Sequence, residues 1–174
     1  EDGIRDYKVT GVQTCALPIS CSDDFFAGME RLILPKPAQF DPTTYTDRGK
    51  EMDGWESRRK RVPGHDWCIL KLGIAGRIRG VDIDTSFFMG NHPPFASLEA
   101  VDAPEDASAE WLQNAAAWTR ILEVVPLKRG AHNLQAVASE KRWTHVRLNI
   151  YPDGGVRSEE HTSELQSPCN LVCR

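Results

Sequence analysis

One stretch of the chain concentrates the residue types that could do chemistry. Between Tyr45 and Ala100 stand His65 and His92, Trp55 and Trp67, a basic run Arg58-Arg59-Lys60-Arg61, and carboxylates at Asp53, Glu56, Asp66, Asp82 and Asp84. Histidine and carboxylate side chains held within hydrogen-bond reach of reacting atoms move protons. His65-Asp66 stands just ahead of a strand. Adjacent residues in extended chain point to opposite sides, so both face one site only if the Pro63-Gly64 turn redirects them. Glu56 and Asp53 flank Trp55 and could equally pair with Arg58 or Arg59, a surface contact worth little. Asp82 and Asp84 alternate with Val81 and Ile83, which puts both carboxylates on one strand face, towards solvent or a cleft. His92 sits in the proline-stiffened loop Gly90-Asn91-His92-Pro93-Pro94, whereas His132 and His145 read as structural. His65, Asp66, Asp82, Asp84 and His92 are also right for a hydrolytic metal. No spacing among them is diagnostic, so neither a metal nor any other cofactor is expected.

Short strands must carry these loops. Trp67–Gly73 and Arg77–Asp84, joined by Gly73-Ile74-Ala75-Gly76, read as a β-hairpin. Gly80 inside the second suggests a bulge or a close backbone approach. Phe95–Val101 and Arg120–Leu127 are further strands, and Pro35, Pro37 and Pro42 keep 34–43 extended and irregular. Thr144–Tyr151 alternates cleanly: Val146, Leu148 and Ile150 on one face, His145, Arg147 and Asn149 on the other. Pro152-Asp153-Gly154-Gly155 is a strong turn signal. Ser22 or Asp23 could cap a short helical turn through Glu30, with Phe25 and Phe26 as core or anchoring contacts. Asp106–Trp118 is the best helix candidate. Many short strands with Gly/Pro turns and little helix imply an antiparallel β-sandwich.

The two ends read differently. Arg157–Ser167 (RSEEHTSELQS) and Val9–Ile19 (VTGVQTCALPI) resemble the translated strands of a short-read sequencing adapter. Glu1–Asp6 and Leu171–Arg174 resemble the matching primer. The expected organisation is therefore 1–19 as an adapter-derived, disordered tail, 20–156 as the biological domain, and 157–174 as a second such tail. Residues 20–156 carry 17 Lys and Arg against 19 Asp and Glu, a net charge of −2, and two of the five cysteines. That charge argues against a general nucleic-acid binder. No apolar run approaches the roughly 20 residues that span a bilayer. Two cysteines fit a reduced, cytoplasmic protein.

Three long phrases carry a resemblance: TDRGKEMDGWESRRKRVPGHDWCILKLG, IRGVDIDTSFFMGNHPP and THVRLNIYPDGG. Together they resemble the allantoicases, from about Ser22 to Val156. The resemblance implies a mostly-β, jelly-roll (galactose-binding-like) sandwich, the first of two repeats, cut short in its C-terminal strands. It also implies hydrolysis of allantoate to ureidoglycolate and urea by a full-length homo-oligomer, the fragment being inactive alone. Releasing urea needs a proton for the departing ureido nitrogen and a base for the attacking oxygen. His65, Asp66 and Glu56 are the catalytic candidates. A carboxylate substrate calls for an arginine fork, so Arg58 and Arg59 are candidates for binding it, with Asp84, Asn91 and His92 lining the pocket. The rival reading is a non-catalytic β-sandwich module binding a small ligand or carbohydrate, because fold alone does not fix function.

Overall fold

A computed structural model describes residues 16–34, 39–114, 116–157 and 171–173. The Pro35-Pro37 part of the expected irregular stretch, and most of both expected tails, lie outside these residues. The strands are β1 (Leu17–Cys21), β2 (Tyr45–Thr46), β3 (Gly49–Lys50), β4 (Trp55–Glu56), β5 (Asp66–Gly76), β6 (Ile78–Asp84), β7 (Phe95–Val101), β8 (Thr119–Pro126), β9 (His132–Ala136), β10 (Trp143–Tyr151), β11 (Gly155–Val156) and β12 (Leu171–Cys173). One short helix, α1 (Ala109–Asn114), and a 3-10 turn, Met29–Ile33, complete the described elements.

Five strands form one antiparallel sheet in the order β1-β5-β10-β7-β8. The second layer joins β12-β6-β9 to β11-β4 through the isolated bridge Asp84↔Arg157, and Ala27↔Glu56 extends its far side. The alternation in β10 does what period-two patterning requires. Val146, Leu148 and Ile150 enter the buried cluster between the layers with Cys68 and Leu70 of β5, Ile83 of β6 and Trp55 of β4. Truncating a core leucine such as Leu148 to alanine costs about 2–5 kcal/mol in such settings.

Several expectations need correction. β5 and β6 are not a hairpin: β5 runs on through Gly76, pairs there with Trp143, and the chain then crosses into the other sheet. The two glycines continue the strand because β10 supplies Gly76 with a partner. Gly80 is a close backbone approach, since a Cβ there would meet the Gln135 carbonyl at 3.2 Å. Ser22 and Asp23 do not cap a helix; their side chains bind Asp66 and Arg58, and the 3-10 turn starts later. Phe25 and Phe26 are exposed, with the Arg48 and Arg58 guanidiniums each 5.0 Å from the Phe25 ring. The helix is shorter than expected and is capped by Ser108, whose Oγ accepts from Trp111 N at 3.1 Å.

Within the expected tails 1–19 and 157–174, the described residues have partners in the sheets. Leu17–Ile19 lie in β1, where the free edge of β5 gives their backbone groups partners. Arg157 is buried and bridges Asp84, and Leu171–Cys173 pair with β6.

Candidate active site around the 151–155 turn

The turn Tyr151-Pro152-Asp153-Gly154-Gly155 gathers four of the expected site residues, His65, Asp66, Glu56 and Asn91. The His65 ring lies 4.7 Å from the Tyr151 ring. Asp66 N donates to the Pro152 carbonyl at 3.0 Å, and Lys60 N donates to Asp153 Oδ2 at 2.8 Å. Ser57 N donates to Gly154 O at 3.1 Å, and Gly155 N donates to Asn91 O at 2.8 Å. Glycine is required at both ends of this pair. Gly154 has φ +141° and a Cβ there would sit 2.5 Å from Asn91 O; at Gly155 it would meet the Phe88 ring at 2.0 Å. Trp55, fully buried and donating from Nε1 to Asp23 O at 2.8 Å, fixes the strand that presents Glu56 across from Gly155.

Glu56 and Asn91 meet: Asn91 Nδ2 donates to Glu56 Oε1 at 2.5 Å. Burial pushes the Glu56 carboxyl above its ordinary range, and the Asn91 bond only partly offsets this. His92 follows in the same loop. Burial and then the Arg129 charge lower its proton affinity, and its Nδ1 is buried without a hydrogen-bond partner among the described residues. Glu56 thus holds its proton more tightly than an ordinary glutamate, and His92, next to Asn91 in the chain, favours its neutral form.

His65 and Asp66 flank the same turn but take separate partners. His65 Nε2 lies 3.2 Å from Asn149 Oδ1 on the outer face of the five-stranded sheet. Asp66, 1% exposed, accepts from Lys60 Nζ at 2.6 Å and Ser22 Oγ at 2.9 Å. The alternation of extended chain thus prevails over the Pro63-Gly64 turn, and the pair is not a dyad. Arg58 is committed to Asp23, with Nη2 at 2.6 Å from Oδ2. Burial works against the Asp23 charge, but bonds from the Arg58 backbone and side chain hold its carboxyl below the usual range. Arg59 is exposed and has no hydrogen bond or ion pair among the described residues.

Asp84 sits elsewhere. Asp82 and Asp84 are both buried rather than turned to solvent, and β9, paired beside β6, brings His132 against them. His132 Nδ1 is 2.7 Å from Asp82 Oδ2 and 4.0 Å from Asp84 Oδ1. Asp53 pairs with Arg157 Nη1 at 2.8 Å and not with Arg58 or Arg59. Sequence reading set His132 down as structural, kept Lys60 only as part of the basic run, and passed over Asp153 and Asn149 as contributors. Asp153 alone had a signal, as the acid of a Pro-Asp-Gly-Gly turn. No group of three or more His, Cys, Asp or Glu among the described residues is arranged to hold a metal ion.

Residues 8–159 match the model of the family described as Allantoicase repeat. The chain belongs to that family. A probable allantoicase of Photobacterium profundum is 50% identical over 138 residues, covering 79% of this chain and 41% of that protein. Probable allantoicase 1 of Burkholderia mallei is 48% identical over 141 residues, 81% of this chain and 41% of that protein. The chain therefore spans about two fifths of the length of these relatives. The crystal structure of allantoicase from Saccharomyces cerevisiae superposes with a TM-score of 0.70 at 34% identity, covering 81% of this chain and 42% of that one. A CBM32-3 domain from a Clostridium perfringens family 31 glycoside hydrolase has a TM-score of 0.54 at 12% identity, a likeness of fold alone. The expected mostly-β sandwich of galactose-binding type thus describes this allantoicase repeat.

Proposed function

We propose that this chain is one repeat of an enzyme that hydrolyses allantoate to ureidoglycolate and urea. The single observation that carries the reading is identity near one half to probable allantoicases across the segment that builds the 151–155 cluster. In this reading Glu56, kept protonatable by burial, gives its proton to the departing ureido nitrogen. His65 accepts the proton of the attacking water as its oxygen bonds to the central carbon and the C–N bond breaks. Arg59, exposed beside the turn, grips the substrate carboxylate through its planar fork. Asn91 and His92 line the pocket, and Asp66 holds Lys60 in place rather than reacting. Arg58 and Asp84 support the surrounding loops and hold no substrate. The working form is a cytoplasmic homo-oligomer, with no nucleic-acid or membrane partner. Among the described residues no helix is long and apolar enough to cross a membrane.

The test is urea release from allantoate by the full-length protein that carries this repeat. Glu56→Gln and His65→Ala should each lower kcat by about 10²–10⁴-fold, the usual worth of positioned acid–base groups. Arg59→Ala should instead raise KM. Unchanged turnover in all three variants would remove these residues from their roles, whereas no urea release by the folded full-length protein would leave a binding module as the better account.

A further inference from the structure

Along one line of side chains, the hydrogen-bond directions from Glu99 through Asn149 to His65 are fixed by a group that only accepts. The line crosses β8, β7 and β10 on the outer face of the five-stranded sheet and ends on His65. Glu99 anchors it. Arg147 Nε and Nη2 lie 2.8 and 2.7 Å from Glu99 Oε2, and Arg120 Nη2 lies 3.4 Å from Oε1. Burial works against the Glu99 charge. Bonds from Asn149 and Arg147, and the positive charges of Arg147 and Arg120, outweigh it and hold the carboxyl below the usual glutamate range. An ionised carboxylate has no proton to give. The Asn149 atom 3.0 Å from Glu99 Oε2 is therefore the amide nitrogen, donating. The second hydrogen of that amide points to Ser97 Oγ at 3.3 Å, whose partner in turn is the Tyr151 hydroxyl at 2.8 Å.

With both amide hydrogens committed, Asn149 presents its carbonyl oxygen to His65 Nε2 at 3.2 Å. An amide oxygen only accepts, so the ring nitrogen facing it must carry the hydrogen. We infer that Asn149, aimed by Glu99, locks His65 with its proton on Nε2 and its lone pair on Nδ1. Nδ1 is then the atom that takes up the proton of the attacking water. Asn149 and Glu99 are positioning residues: they touch no substrate and act by deciding which nitrogen of His65 reacts. Asn149 is 1% exposed, so water does not compete for its oxygen. The catalytic consequence rests on the proposed role of His65, whereas the proton's location does not.

Nitrogen-15 spectra of the histidine rings in this 174-residue chain, at about pH 8 where neutral imidazole prevails, test the inference without any turnover. His65 should show a protonated Nε2 with a slowly exchanging proton and an unprotonated Nδ1. Asn149→Leu should speed exchange of that proton by about tenfold, the worth of one net hydrogen bond. The paired swap Asn149→Asp with Glu99→Gln keeps an acceptor towards His65 and should restore slow exchange, which a packing role alone would not predict. A proton on Nδ1 in the wild-type ring, or slow exchange retained in Asn149→Leu, overturns the inference. If Asn149→Leu does not fold, the wild-type and swap spectra still decide. An intact Nε2–H signature in a full-length protein that releases no urea would remove the hydrolase reading and leave the tautomer standing.

Discussion

Two partly buried glutamates, each hydrogen-bonded by an asparagine amide, end up with opposite proton affinities. Glu99 on the sheet face is held below its ordinary range, and Glu56 at the turn is held above it. Both suffer burial. The difference is arginine: Arg147 and Arg120 reach Glu99, while the described donor to Glu56 is the neutral Asn91 amide. A neutral donor offsets part of the desolvation cost, and a nearby full charge reverses its effect. The same pairing of carboxylate and amide therefore serves as a fixed anchor in one place and as a proton reservoir in the other.

Taking the charge away from the anchor should have the largest effect. Arg147→Leu removes two charge-assisted bonds to Glu99 and the guanidinium stacked 4.8 Å from Trp118. About 2–3 kcal/mol of stability should be lost, read as a lower denaturant midpoint at neutral pH. Next in size is an opposition in pH dependence. The depressed Glu99 stabilises the fold above the ordinary glutamate range, and this is lost as pH falls through its lowered value. The raised Glu56 contributes stability that is full below the ordinary range and is lost as pH rises through its raised value. Glu99→Gln should therefore destabilise the neutral protein, and Glu56→Gln should stabilise it. Denaturant midpoints across the acid range that moved in the same direction for both variants would break the contrast.

A smaller change sharpens it. Asn91→Leu removes the 2.5 Å bond that opposes burial at Glu56, so its proton affinity should rise further. In the full-length protein the basic limb of the kcat profile, where the proposed acid loses its proton, should move to higher pH. The fold should lose about 1 kcal/mol, the net value of one hydrogen bond. A profile that keeps its position while stability drops would show Asn91 to be structural only.

How much of this was legible in the sequence depends on distance along the chain. The two faces of β10 and the Pro-Asp-Gly-Gly turn were readable because a period of two and a turn signal are local. The false hairpin between β5 and β6 shows the limit. Gly73 to Gly76 has turn composition, but the partner that keeps the chain extended is Trp143, far away in sequence. Contacts among the candidate site residues were hidden in the same way. Glu56 and Asn91 are 35 residues apart, and His65 and Asn149 are 84 apart. The sequence offered Arg58 and Asp84 for substrate by residue type; in the fold Arg58 pairs with Asp23, and Asp84 lies opposite His132 in the β6–β9 pairing. Glu99 gave no signal, since one carboxylate in Phe95–Val101 looks like a solvated strand position.

Cys21 and Cys68 extend the contrast to groups that lack a cation altogether. They are directly opposed in β1 and β5, with Cys68 in the core and Cys21 packed against it. Burial, followed by the negative charges of Asp24 and Asp23, pushes the Cys21 thiol up to about 12 from 9.0, and burial pushes Cys68 higher still. Raised values mean that their contribution to stability is full below 9.0 and is lost as pH rises towards about 12. Near neutrality the effect on stability is nil, but the effect on reactivity is not, because the thiolate is the nucleophile. Peptide-resolved labelling with a maleimide at about pH 8 should leave both thiols unmodified in the folded chain and modify both after unfolding. Rapid labelling of Cys21 in the folded chain would mean that β1 leaves the edge of β5, exposing the thiol that its pairing covers.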